Sequence, residues 1–218
     1  MSLKTEDGEI RIYSGRSRSG KTAKCEIDIK AGAFDTVFVF DIEAQWCEIK
    51  GYKKITSLAE FKKICVSGKK GKYAVVVSGD LKPEFEKFCK CVFHYASFFG
   101  RCAIVAEELA SVTTTSKAPP AWGDVCRRIL KRGACVFAIS QRWAEADKTA
   151  IGNASKIFMF QPATLTDARY LADKVNLNES DIFNLDYDSY QYIEYDNGNR
   201  SNEFKKLPFP NKKAKKAN

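Results

Sequence analysis

The chain has 218 residues, 44% of them apolar, and a net charge of +9. That length fits a single domain with small additions, and the apolar share can fill a core. No run approaches 18 apolar residues, which excludes a hydropathic membrane span, and the first seven residues lack the apolar stretch of a signal peptide, so the expected location is the cytoplasm.

Residues 8–14 alternate as a first strand. The loop Gly15-Arg16-Ser17-Arg18-Ser19-Gly20-Lys21-Thr22 follows and fits G-x-x-x-x-G-K-[ST]. Ala23 to Ile27 then continues as a helix, which gives the strand, loop, helix order that a phosphate-binding loop requires. The glycines let backbone N–H groups close around phosphate, and the helix adds its positive end. Lys21 is placed to reach the β- and γ-phosphates of ATP, and the Thr22 hydroxyl to bind Mg²⁺.

A second strand, Thr36-Val37-Phe38-Val39-Phe40, is apolar on both faces, as a buried parallel strand must be. It ends at Asp41, either a loop cap or a nucleotide contact at the sheet edge where ligands bind. Residues 55–64 read as a helix, with Ser57 and Glu60 spaced as a capping box. Tyr73 to Val77 is a third strand. Pro83 opens a helix with Phe85, Phe88, Val92 and Tyr95 at helical spacing.

Cys102-Ala103-Ile104-Val105-Ala106 is a buried strand that ends in Glu107-Glu108. A polar loop from Thr113 to Pro120 precedes a helix from about Trp122, which carries Arg127, Arg128, Lys131 and Arg132 and stops at Gly133. Ala134 to Ser140 is another buried strand, ending at Gln141-Arg142. Lys156–Gln161 is a strand, Asp167–Lys174 a helix, and Tyr190–Tyr195 a late strand followed by a turn at 196–199. Residues 1–204 are expected to form one domain. Six lysines and no acid fall in residues 205–218, so this tail holds two thirds of the excess charge and is expected to be disordered.

The eight cysteines contain no C-x-x-C pair and several sit in apolar runs, so they read as reduced structural thiols. The chemistry falls instead at strand ends around the loop. Glu107 would hold Mg²⁺ together with Thr22, although Asp is the usual residue there. Glu108 would be the general base that activates water. Gln141 would sense the γ-phosphate, or would be an ordinary polar strand end.

The loop Gly15–Thr22, the strand end Phe38–Asp41, the run Ala103–Glu108 and the run Lys131–Arg142 occur in the order seen in FtsK/HerA-type motor ATPases. The chain resembles most the genome-packaging ATPases of tailless, membrane-containing icosahedral viruses. Similar features include Ser140-Gln141-Arg142 and Gly152-Asn153-Ala154, and the resemblance covers about residues 8–165. It implies an α/β P-loop NTPase of the RecA/ASCE-like class, with a mostly parallel central sheet flanked by helices. It also implies ATP and Mg²⁺ as cofactors, a homo-hexameric ring, and double-stranded DNA as the translocated partner. Capsid-vertex or viral-membrane proteins would be further partners, in the host cytoplasm or on the virion. An arginine supplied in trans is implied as well; Leu130 stands at the usual position, which leaves Arg127, Arg128 and Arg132, with Arg132 chosen here.

Three other classes compete. A small-molecule P-loop kinase would use the Arg-rich helix 125–132 as a lid over the phosphates. A non-packaging DNA translocase would share the whole site, and a structural protein could keep the loop without turnover. A GTPase switch is disfavoured because no Asn-Lys-x-Asp sequence is present.

Overall fold

The apolar runs become strands of one sheet. The computed structural model describes residues 8–212. In chain order the strands are β1 (Ile10–Ser14), β2 (Thr36–Phe40), β3 (Tyr52–Ile55), β4 (Gly71–Val75), β5 (Ala103–Ala106), β6 (Cys135–Ser140), β7 (Lys156–Phe160), β8 (Gln191–Asp196) and β9 (Ser201–Lys206). The helices are α1 (Lys21–Ala31), α2 (Leu58–Ser67), α3 (Leu81–Phe99), α4 (Leu109–Val112), α5 (Pro120–Arg128), α6 (Lys148–Gly152), α7 (Leu165–Val175) and α8 (Glu179–Phe183). The nine strands lie in the order β3-β4-β2-β5-β6-β1-β7-β8-β9. Pairing is parallel from β3 through β7, and β8 and β9 close the far edge as an antiparallel hairpin.

Side chains alternate between the two faces of each strand, and each face has its own core. On one face Ile10, Ile12, Phe38, Phe40 and Ile104 pack beneath α2, α3 and α5, with Phe61, Phe85, Phe88 and Trp122. On the other face Tyr13, Val37, Val39, Phe137 and Phe158 pack with Cys25 and Ile29 of α1. The eight cysteines are free thiols, as expected.

Helix ends follow their capping residues. The Ser57 side chain accepts the Glu60 N–H at the start of α2, and Gly68, left-handed at φ +66°, ends that helix. Asp80 caps α3 and Thr164 caps α7 in the same way. Such a cap is worth about 1 kcal/mol.

The sequence pattern missed the edges. Strand β3 reads Tyr-Lys-Lys-Ile, with both lysines exposed, and it pairs only with β4. Charged residues on an outer strand blunt edge-to-edge association and also erase its apolar signature. Helices α6 and α8, five residues each, are too short to show a period. Lys205 and Lys206 end β9, so a boundary at residue 204 falls inside a strand. The described residues continue as far as Lys212, and residues 213–218 of the expected tail lie outside them.

Candidate active site

Strand β1 delivers the loop to the C-terminal edge of the sheet. Gly15 turns the chain at φ +146°, where a Cβ would stand 2.6 Å from the Phe160 Cβ. Gly20, at φ +111°, would put a Cβ 2.8 Å from Leu207 Cδ1. Both positions therefore need glycine for backbone shape and for space. The Arg16 N–H donates to Gln161 O at 2.8 Å and fastens the loop to the end of β7. Gly20 is the N-cap of α1 and offers no side-chain cap, and the first turn has no acid. The opening N–H groups of the helix thus keep their positive end for an anion.

Lys21 is buried, and its Nζ donates to Arg16 O at 2.9 Å. Burial lowers its pKa to about 8, against the pull of Glu108 and Glu107. A phosphate beside this dehydrated ammonium would raise that pKa again, because an adjacent anion favours the charged form. The loop from Ser17 to Ala23 lines a cavity of about 880 Å³ that also receives Glu107, Glu108 and Gln141. Gly15 and Arg16 shape the loop without lining that cavity. Arg16 instead stacks 4.6 Å from the centre of the Tyr187 ring.

The two acids after β5 are built differently. Glu107 is buried beside Asp41, and its Oε2 has no hydrogen-bond partner. Burial, then the neighbouring Asp41, raises its pKa to about 8. Asp41 is a loop cap: its two carboxylate oxygens accept the Gln45 and Cys47 N–H groups, both at 2.9 Å. Glu108 sits at φ +42°, an uncommon conformation for a residue with a Cβ. Its Oε1 accepts Ser140 Oγ at 3.1 Å and the Gln141 N–H at 3.2 Å. The tip of β6 thereby fixes the Glu108 carboxylate while Gln141 lines the cavity. Sequence reasoning picked out Ser140 only as part of a strand-end run; its positioning role emerges once β5 is known to lie beside β6.

The basic helix lies elsewhere. Arg132 precedes β6, and its Nη1 donates to Ser97 O at 2.8 Å, at the end of α3. One six-residue strand separates it from the loop's edge, a span of roughly 20 Å. Arg127, Arg128 and Lys131 also do not line the cavity. A lid formed by residues 125–132 over the phosphates is therefore not what the fold builds.

A second unanticipated group comes from the C-terminal end. Tyr187, Asp188, Tyr190, Phe209 and Lys212 line the same cavity. The Tyr187 hydroxyl donates to Ser17 O at 3.2 Å, and Lys212 Nζ donates to Arg18 O at 2.7 Å. No local motif marks these residues, which meet the loop only through the β8–β9 hairpin.

Among the described residues no group of three or more His, Cys, Asp or Glu side chains is arranged to hold a metal. The donors present are instead a hydroxyl, Thr22, and one buried carboxyl with an unpartnered oxygen, Glu107. That set fits Mg²⁺, which is commonly held by one or two protein groups together with substrate phosphates and water.

A glycine loop between β1 and α1, on a mostly parallel sheet with acids at the tip of β5, one strand removed from β1, defines a P-loop NTPase fold. No protein-family model matches the chain. It is 26% identical over 203 residues to Protein P9 of Pseudoalteromonas phage PM2, covering 91% of this chain and 90% of that protein. Its fold is similar to the genome packaging NTPase B204 of Sulfolobus turreted icosahedral virus 2 in complex with AMPPCP, with a TM-score of 0.75 and 16% identity over 93% of this chain and 99% of that one. It is also similar to VirB4 of Thermoanaerobacter pseudethanolicus, with a TM-score of 0.62 and 11% identity over 92% and 90% of the two chains. The likeness to viral packaging NTPases expected from the strand-end motifs thus extends through the fold of nearly the whole chain.

Proposed function

We propose that this chain is an ATP-hydrolysing motor that translocates double-stranded DNA and packages a viral genome into a preformed capsid. The observation that carries the hydrolytic part is the Glu108 carboxylate, held by Ser140 and Gln141 in the cavity that contains Lys21. A fixed carboxylate facing a phosphate loop suits activation of water. The near full-length likeness to Protein P9 and to B204 supports genome packaging as the use of that hydrolysis.

In this mechanism the N–H groups of Ser17 to Thr22 and the Lys21 ammonium bind the phosphates. Glu108 orients the attacking water and takes its proton. Gln141, whose N–H already bonds Glu108, reports the γ-phosphate to the end of β6. Mg²⁺, held by Thr22 and Glu107, would neutralise charge on the phosphates. The active assembly is a ring, of six subunits by family resemblance, in which Arg132 acts on a neighbour's nucleotide. Its place outside its own cavity, on an exposed surface, accords with that role. DNA contact is backbone-directed and salt-sensitive. The motor works in the host cytoplasm and docks at a capsid vertex or on viral membrane proteins.

Turnover measured with and without duplex DNA tests this proposal. Stimulation by DNA that fades as salt rises is expected. Hydrolysis unaffected by DNA, or phosphate transfer to a nucleoside in place of water, would overturn it. Lys21→Ala should abolish hydrolysis.

A further inference from the structure

The cavity has two ends, and hydrolysis uses only one. Strand β1 lies between β6 and β7. Glu108 and Gln141 approach the loop from the β5–β6 side. A triphosphate laid along the loop with its γ-phosphate at those groups directs its nucleoside toward β7 and β8. The cavity wall there is aromatic.

We propose that Tyr190 and Phe209 form the subsite for the base of the nucleoside triphosphate, and that Tyr187 and Lys212 position this wall against the phosphate loop. The proposal rests on the nucleotide-binding role of the loop and adds the groups that recognise the other end of the ligand.

Three observations carry it. First, Tyr190 and Phe209 meet edge to face, with ring centroids 5.6 Å apart and planes at 82°. Phe209 remains 39% exposed although Leu207, two residues before it, is buried. An apolar ring kept open in a polar cavity offers a stacking surface for a base.

Second, the wall is fastened to the loop. Lys212 Nζ donates to Arg18 O and, at 3.0 Å, to Tyr187 O, and it lies 3.0 Å from the centre of the Tyr187 ring. The Lys212 N–H donates to Asp188 O at 2.9 Å, and the Tyr187 hydroxyl reaches Ser17 O. These contacts fix the span between the ring pair and the phosphate cradle. Leu207 closes the seam by packing on the bare face of Gly20.

Third, Tyr190 holds φ +55°, a conformation that costs free energy in a residue with a large side chain. The turn at 186–190 is thereby bent so that the ring enters the cavity. Stacking recognises the flat face common to all bases, so the subsite selects a nucleoside triphosphate over bare triphosphate.

The test compares ATP with inorganic tripolyphosphate by calorimetry on the full chain. The wild-type protein should bind ATP more tightly than tripolyphosphate. Phe209→Ala should weaken ATP by about tenfold and leave tripolyphosphate within about twofold. Equal weakening of both ligands, or no weakening of either, would overturn the subsite. Phe209→Trp gives an independent readout: its fluorescence should change with ATP and not with tripolyphosphate, and an equal response to both would also overturn it. A wild-type chain that binds tripolyphosphate but prefers it to ATP removes the base subsite and leaves the loop's role intact. A wild-type chain that binds neither removes the nucleotide reading itself.

Discussion

On one side of β1 lie β6, β5 and β2, parallel strands buried on both faces. Two of them end in a carboxylate held by hydrogen bonds, Asp41 after β2 by Gln45 and Cys47 and Glu108 after β5 by Ser140 and Gln141 at the end of β6. On the other side β7 leads to an antiparallel hairpin, β8 and β9, with lysines and a half-exposed aromatic wall. Each strand of the first side is paired along both edges and buried along its whole length. The second is held to the loop by a few contacts from Tyr187, Leu207 and Lys212. Proton transfer needs a carboxylate at a set distance, which a buried strand tip supplies. Stacking on a base tolerates small shifts of a ring, which a surface hairpin can supply.

Breaking the rigid side should have the largest effect. Glu108→Gln should lower kcat by about 10²–10⁴-fold while ATP still binds, as read by steady-state hydrolysis alongside nucleotide titration. Retained turnover would move the general base elsewhere. The seam between the sides comes next. Gly20→Ala puts a methyl against Leu207 at φ +111° and should cost about 1–3 kcal/mol, read from the urea midpoint. Ser140→Ala removes one of the two donors to Glu108; about tenfold lower kcat with KM unchanged is expected, the equivalent of one hydrogen bond of about 1.4 kcal/mol.

A pH titration of stability, without nucleotide or Mg²⁺, sharpens the contrast further. Burial and Asp41 raise Glu107 from 4.5 to about 8, so between those values the folded chain keeps a proton that the unfolded chain has lost. Stability contributed by this group is complete below pH 4.5 and falls as pH rises toward about 8. Glu107→Gln should remove that slope; an unchanged slope would show that another group produces it. The smallest effect belongs to the outer hairpin. Lys205, partly exposed beside Glu194 and Glu203, should lose under about 1 kcal/mol on Lys205→Met by thermal unfolding, because such a pair is screened by water.

The legibility of the sequence follows the same division. Strand β2 was readable residue for residue, since a run apolar on both faces has few other places to go. The Glu107-Glu108 pair was readable as a strand end. Strand β3 and strand β9 were not, because edge strands carry lysines in place of an apolar pattern. The arginines of α5 and the turn after it could form a lid by sequence order alone, yet they precede β6 at the end of the sheet opposite the phosphate loop and do not line the cavity.

The sequence by itself determined the phosphate loop, the buried strands and the acids at their tips, because each is a local pattern of spacing and hydrophobicity. Tertiary structure alone decided that Asp41 caps a loop, that Ser140 holds Glu108, and that Tyr187, Leu207 and Lys212 close on residues 15–22. Those contacts join positions from 4 to 194 residues apart. The longer ones depend on strand order, which brings β5 and β6 beside β1 and folds the C-terminal hairpin over its loop; no periodicity in the chain encodes that order.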